Sequence, residues 1–264
     1  MELSNWLETK LQQDIWIKKY KDENETLDDF FDRVSNGNEN IKNHIINKRF
    51  LFGGRILANR GLQNKNKKVT FSNCFVIKSP SDNIESIFDC AKKMARTYSY
   101  GGGVGVDLSK LSPRGAKINN AAKETSGAVS FMDLYSLTTG IICQNGRRGA
   151  LMITLNCNHP DLEEFIDIKT NETSITKANI SIKITNDFMK AVLNNKEFLL
   201  SFTREETGEI ITKNIDAKRI FDKIILNNYN WAEPGFLMWD RINEWNLLSD
   251  DKEFEYESVN PCAK

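Results

Sequence analysis

The sequence predicts an α/β protein, with an N-terminal helical region over residues 1–60 and a largely parallel sheet wrapped in helices over residues 61–264. Three observations carry this. Short runs rich in β-branched residues recur between stretches of three-four periodicity, those runs are apolar rather than cleanly alternating, and the first sixty residues show helical spacing. At 264 residues, 40% hydrophobic and 27% charged, the chain is long enough to bury a sizeable core as one or two domains.

In the helical region Leu7, Leu11 and Ile15 recur at every fourth position, and Leu27, Phe30, Phe31 and Val34 follow Thr26, a suitable N-cap. The polar, basic stretch 63–68 is a loop leading into a strand over 69–77, apolar enough for a buried sheet, with Cys74 in its middle. Asp82-Asn-Ile-Glu85 reads as a capping box for an amphipathic helix carrying Ile84, Ile87, Phe88, Ala91, Ala95 and Tyr98. The glycine loop Tyr100-Gly-Gly-Gly-Val-Gly-Val-Asp107 then feeds a strand. A dinucleotide-binding fingerprint must open a helix and would need glycine where Val106 stands, so that reading is excluded.

Ser112-Pro-Arg-Gly115 is a turn, and Thr125 or Ser126 caps a second helix over 126–142. That helix ends in Gln144-Asn-Gly-Arg147-Arg148-Gly-Ala150, where mobile backbone and two fixed positive charges suit a phosphate. Leu151, Ile153 and Leu155 lie in a strand, and Pro160 takes a first helical position ahead of Asp161, Glu163 and Glu164. Residues 179–184 form a strand, 198–202 and 209–212 flank a turn at Thr207-Gly208, Asp216 opens a helix, and 236–239 is a last strand.

Composition narrows the function. A formal net charge of zero excludes wholesale attraction to nucleic acid or an acidic membrane, and no apolar run approaches a bilayer span. The N-terminus lacks a signal-peptide pattern, so a cytoplasmic protein is expected. Cysteines at 74, 90, 143, 157 and 262 contain no Cys-x-x-Cys pair, and with only His44 and His159 no zinc spacing assembles, so no metal site is expected and the thiols should be reduced.

Phe71-Ser-Asn-Cys74, the glycine loop, the Arg-Arg loop, Asn156-Cys-Asn-His-Pro160-Asp-Leu-Glu-Glu-Phe-Ile, Asn179-Ile-Ser-Ile-Lys-Ile, Trp231-Ala-Glu-Pro-Gly and Asn260-Pro261-Cys262 occur in this order. Together they resemble the large subunit of ribonucleotide reductase, over most of the chain from about Arg49. Asn-Pro-Cys and the Pro-Gly pair look most like the adenosylcobalamin-dependent class. The resemblance implies the first half of a ten-stranded α/β barrel, with Cys262 on a finger loop entering the barrel centre and the chain stopping at that loop. Nothing before Arg49 resembles the family's regulatory ATP-binding module, so no overall activity switch is expected.

The chemistry so implied is radical chemistry. Cys262 would be the thiyl residue, Cys74 would give a proton and electrons to the sugar while becoming half of a disulfide, and Asn260 would hydrogen-bond the ribose. Asn73, Gly102 and Gly103 would line the substrate. Read alone, Cys74 is a packing residue, since cysteine is among the most buried types, and Asn260 is turn chemistry. The family's glutamate two places after the radical cysteine is Lys264 here, and an ammonium cannot accept a proton. The resemblance further implies a deoxynucleoside triphosphate effector with Mg, bound by Asp82, Ser112, Arg114, Lys117, Gln144, Arg147 and Arg148. For those arginines the plain alternative is surface solubility. A homodimer, a missing C-terminal half, a ribonucleotide substrate and a thiol reductant such as thioredoxin are the implied partners. The other possibility is a truncated or split fragment that binds deoxynucleotides or dimerises without turnover, and the chain alone is expected to form no product.

Overall fold

The computed structural model describes residues 6–65, 67–118, 121–142, 149–170 and 174–263. The chain divides into two compact units, Met1–Asn73 and Cys74–Lys264, so that residues 61–73, assigned from sequence to the sheet region, lie with the helices.

The first unit holds α1 (Lys10–Lys19), α2 (Leu27–Ser35), α3 (Glu39–Ile46) and α4 (Gly54–Asn59). Thr26 caps α2 as expected, its hydroxyl accepting from the Asp29 N–H while the Asp29 carboxylate accepts from the Thr26 N–H. Leu27, Phe30, Phe31 and Val34 form its buried face with Leu7, Trp16 and Ile45. The expected Leu7-Leu11-Ile15 stripe is corrected here. Thr9 caps α1, the face that turns inward is marked by Trp16, and Leu11 is 68% exposed.

The second unit is built on a five-stranded, wholly parallel sheet in the order β1-β2-β3-β4-β7. Its strands are β1 (Cys74–Val76), β2 (Gly103–Asp107), β3 (Leu151–Asn156), β4 (Ala178–Ile184) and β7 (Gly235–Met238). The crossovers contain α5 (Ile84–Ser99), α6 (Phe131–Ile141), α7 (Leu162–Asp167), α8 (Asn186–Leu193) and α9 (Ala217–Trp231), and α10 (Trp239–Glu244) follows β7. β5 (Glu197–Thr203) and β6 (Ile210–Asp216) form a separate antiparallel pair around the predicted turn. Neighbouring parallel strands joined by helices are the architecture expected of an α/β barrel segment.

The two faces of the sheet differ. Val104, Val106, Leu151, Ile153, Leu155, Ile180 and Ile182 pack into the main core with residues from α5 to α9, among them Met94, Met132, Phe165, Phe188 and Ile220. Residues in register on the opposite face are mostly small or polar, Gly105 beside Met152 and Asp107 beside Thr154 beside Ser181. That face meets Val259, which packs with Met152, Leu237, Trp239 and Ile242. The strands therefore alternate more than their sequence suggested.

Four local expectations are revised. The strand expected over 69–77 is only Cys74–Val76, with Cys74 opening it, and at the sheet edge Phe75 and Val76 are exposed rather than buried. Asn83, not Asp82, caps α5. α6 begins at Phe131 because Gly127 is left-handed and the Ala128 N–H is taken by Asp161. Asp161 and not Pro160 adjoins the first turn of α7, where Glu163 and Glu164 do lie as expected.

Candidate active site at the Cys74 and Cys262 loops

Cys74 enters the sheet directly opposite Gly103. A Cβ on Gly103 would lie 3.1 Å from the Cys74 Sγ, 3.1 Å from the Pro261 ring and 3.2 Å from the Ala150 carbonyl oxygen. One bare glycine thus has the thiol on one side and the Asn-Pro-Cys loop on another. Gly105 lets that loop cross the sheet, since a Cβ there would fall 1.9 Å from the Val259 carbonyl oxygen. Gly102 is similarly bare, against the Phe75 ring and Thr97. Asn73, exposed, is the last residue of the first unit and immediately precedes Cys74.

At the loop tip the Cys262 N–H donates to the Asn260 side-chain oxygen at 2.9 Å and the Ala263 N–H to the Asn260 carbonyl at 2.8 Å. Asn260 thereby builds the turn that presents Cys262, whose side chain is exposed. Cys74 is half-buried, whereas Cys90 and Cys157 are buried, and burial pushes their thiols up, that of Cys90 to about 11. A nucleophilic or redox thiol needs access, so 74 and 262 are the chemically available pair of the four described. Lys264 lies outside the described residues.

The approach to this loop is held by residues that the motif reading assigned no role. Asp107 and Lys183 form a buried ion pair, Oδ2 to Nζ 2.8 Å. Lys183 also donates to the Glu257 carbonyl and lies over the Trp239 ring. Thr154 donates to Asp107 at 2.7 Å and stands 2.9 Å from the Ser258 hydroxyl. Their signal in the sequence was the alternation Gly103, Gly105, Asp107, which marks a strand face that cannot be packed like its other side.

The expected effector residues fall into two groups. Gln144, Arg147 and Arg148 lie outside the described residues. Ser112, Arg114 and Lys117 share the loop after β2, and Asp82, just before α5, meets it, its carboxylate accepting the Ser112 N–H at 2.9 Å and the Ser112 hydroxyl. The Arg114 guanidinium is paired with Glu164, the Arg114 backbone N–H donates to Asp161 at 3.0 Å, and the Lys117 carbonyl accepts from Arg204. His159 closes the underside. Its Nε2 donates to the Leu111 carbonyl at 2.9 Å, and its Nδ1 accepts the Asp161 N–H, which fixes the neutral tautomer, and burial pushes the imidazole below its ordinary 6.5. Among the described residues no cluster of metal-ligating side chains occurs, and no helix is long and apolar enough to cross a membrane.

Known proteins resemble this chain in sequence and in fold. The family model for the ribonucleotide reductase barrel domain matches residues 72–264. A vitamin B12-dependent ribonucleoside-diphosphate reductase of Thermoplasma acidophilum is 38% identical over 195 residues, 73% of this chain and 25% of that protein. One from Mycobacterium tuberculosis is 32% identical over 193 residues, 72% of this chain and 27% of the relative. The chain thus spans about a quarter of the length of the curated relatives it matches. Among solved structures, the Actinobacillus ureae class Id ribonucleotide reductase alpha subunit superposes with a TM-score of 0.74 over 97% of this chain and 45% of that one, at 17% identity, a likeness of fold.

Proposed function

The chain belongs to the ribonucleotide reductase family, whose barrel domain it carries over residues 72–264, and on that premise we propose that it supplies part of a catalytic site for thiyl-radical reduction of ribonucleotides. The observation that supports this best is the meeting of the Cys74 thiol with the Asn260-Pro261-Cys262 loop at Gly103. The half-buried Cys74 thiol on its strand and the Pro261 ring, next to the exposed Cys262, both meet the glycine backbone at position 103.

In this reading Cys262 begins the reaction. As a thiyl radical it takes a hydrogen atom from the ribose carbon adjacent to the one that bears the 2′-hydroxyl, becoming a thiol, and returns that hydrogen at the end. The 2′-hydroxyl leaves as water with a proton from Cys74. Two electrons come from Cys74 and a second thiol, which become a disulfide, and a reductant of the thioredoxin kind restores them. Asn260 would hold a ribose hydroxyl, and Asn73, Gly102 and Gly103 would let the substrate lie close to backbone.

The relatives' dependence on vitamin B12 favours adenosylcobalamin, which supplies the one-electron oxidation of Cys262 when bound. The exposure of Cys262 fits a bulky group that must reach its sulfur. For the effector, a deoxynucleoside triphosphate with Mg, the loop from Asp82 and Ser112 to Arg114 and Lys117 is the site we favour, with Gln144, Arg147 and Arg148 completing it. Phosphate would have to displace Glu164 from Arg114, and a pair this exposed contributes only about 0–1 kcal/mol. A cytoplasmic setting and a homodimer through α5 and α6 belong to the same reading.

The test is to purify the protein from its own host with any polypeptide that accompanies it, add adenosylcobalamin, dithiol and ribonucleotide, and measure deoxynucleotide. Formation of product supports the reading; titration with a deoxynucleoside triphosphate should show binding that Asp82→Lys weakens. Binding without product in every preparation would favour the non-catalytic module instead.

A further inference from the structure

We propose that Asp107 and Lys183 are positioning residues for the Cys262 loop: their buried ion pair sets where the backbone at 257–258 lies, and so where Asn260, Pro261 and Cys262 project. The importance of that placement for turnover rests on the role proposed for Cys262, whereas the anchoring does not.

Both side chains are almost wholly buried, 5% and 6% exposed. Removing two charges from water is costly, and well-packed apolar residues often serve stability as well or better, so such a pair needs another reason to be there. Here its remaining hydrogen-bonding capacity converges on one segment. Lys183 donates to the Glu257 carbonyl at 3.0 Å. The Asp107 carboxylate can only accept, so Thr154 donates to it and is left to accept from Ser258. This gives the short chain of hydroxyls one direction. The other Asp107 oxygen takes the Ser109 N–H at 3.0 Å, which fixes the carboxylate plane.

The same segment is held from a second side. The Glu257 carboxylate accepts the Ser79 N–H at 2.6 Å and pairs with Lys110 at 3.2 Å. Val259 then seats over Gly105, and the Asn260 turn begins at once. Cys262 is therefore four residues from Ser258, the last position held by this buried, charged anchor. Loss of either charge would leave its partner unpaired beneath the loop and free residues 257–263 while leaving Cys74, Asn260 and Cys262 themselves intact.

Hydrogen exchange, read peptide by peptide by mass spectrometry on the full chain, tests this without requiring turnover. Lys183→Met and Asp107→Asn should each speed exchange of the Cys262 and Ala263 amides by about tenfold or more, while the β5–β6 pair is unchanged. Lys183→Arg, which keeps a cationic donor, should restore most of the protection. In the turnover assay Lys183→Met should lower kcat about tenfold, because it moves the radical residue together with Asn260, and Lys183→Arg should recover most of the rate. Unaltered exchange at 262–263 in both charge-removing variants overturns the proposal. If those variants unfold, Ser258→Ala, which cuts only the hydroxyl chain, must still accelerate exchange at 262–263, and no change there overturns it equally. Loop release without any reductase activity in the parent protein would instead refute the catalytic reading and leave the anchor standing.

Discussion

A methyl group at position 105 would have to share space with the Val259 carbonyl, because the neighbour is backbone and has no flexible end to move aside. Gly105→Ala should therefore destabilise the second unit by about 1–3 kcal/mol or lift the loop off the sheet, read as a lower unfolding midpoint or lost protection at 259–263; a fully wild-type variant would contradict the packing. His159 makes a separate residue-scale prediction. Its folded pKa is depressed by burial, so its contribution is intact above the unfolded value near 6.5 and is lost as pH falls below it, when the unfolded chain takes up a proton that the folded one refuses. That slope is about 1.4 kcal/mol per pH unit, and it should shrink in His159→Gln. Cys74, Gly103, Asn260 and Cys262 were legible as motif residues. Asp107 and Lys183 stood within the motifs with no role assigned, and Thr154 and Ser258 stood in none, because the pairing of buried groups on different strands is not legible until those strands are brought together.

At the scale of elements, legibility followed how locally each boundary is decided. The α2 cap needs only Thr26 and Asp29, three residues apart, and was read correctly. The start of α6 depends on Asp161, far along the chain, which draws the Ala128 and Arg114 N–H groups to itself, and sequence periodicity placed it too early. In the first unit Arg33 was read only as part of a helical stretch, yet it is buried against Glu25, with further bonds to the Tyr20 and Arg60 carbonyls. Arg33→Leu strands that carboxylate and should cost α2 about 3–5 kcal/mol, visible as faster exchange of the α2 amides; unchanged protection would show that the pair contributes little.

For the whole molecule, the parallel order of the five strands was foreseeable from their alternation with helices, as was the β5–β6 hairpin from its turn residues. The contrast between the two sheet faces was less so, because glycine and methionine leave it ambiguous which strand positions meet a helix and which meet a loop. Ile84 and Phe88 on α5 and Leu137 and Ile141 on α6 remain 54–64% exposed, apolar surface of the kind that marks an interface. If these helices dimerise, Phe88→Glu with Leu137→Glu should convert a dimer to a monomer in sedimentation velocity; a wild-type monomer would remove this part of the account.

The most direct test of the central claim uses a ribonucleotide labelled with tritium on the ribose carbon that carries the 3′-hydroxyl, adjacent to the one bearing the 2′-hydroxyl, given to the protein from its own host with adenosylcobalamin and dithiol. The account predicts that the parent protein returns most of the label to the deoxynucleotide, that Cys74→Ser, which stalls after abstraction, releases label to solvent while forming no deoxynucleotide, and that Cys262→Ser in either background releases none, because hydrogen abstraction precedes reduction. Release of label that survives Cys262→Ser would contradict it.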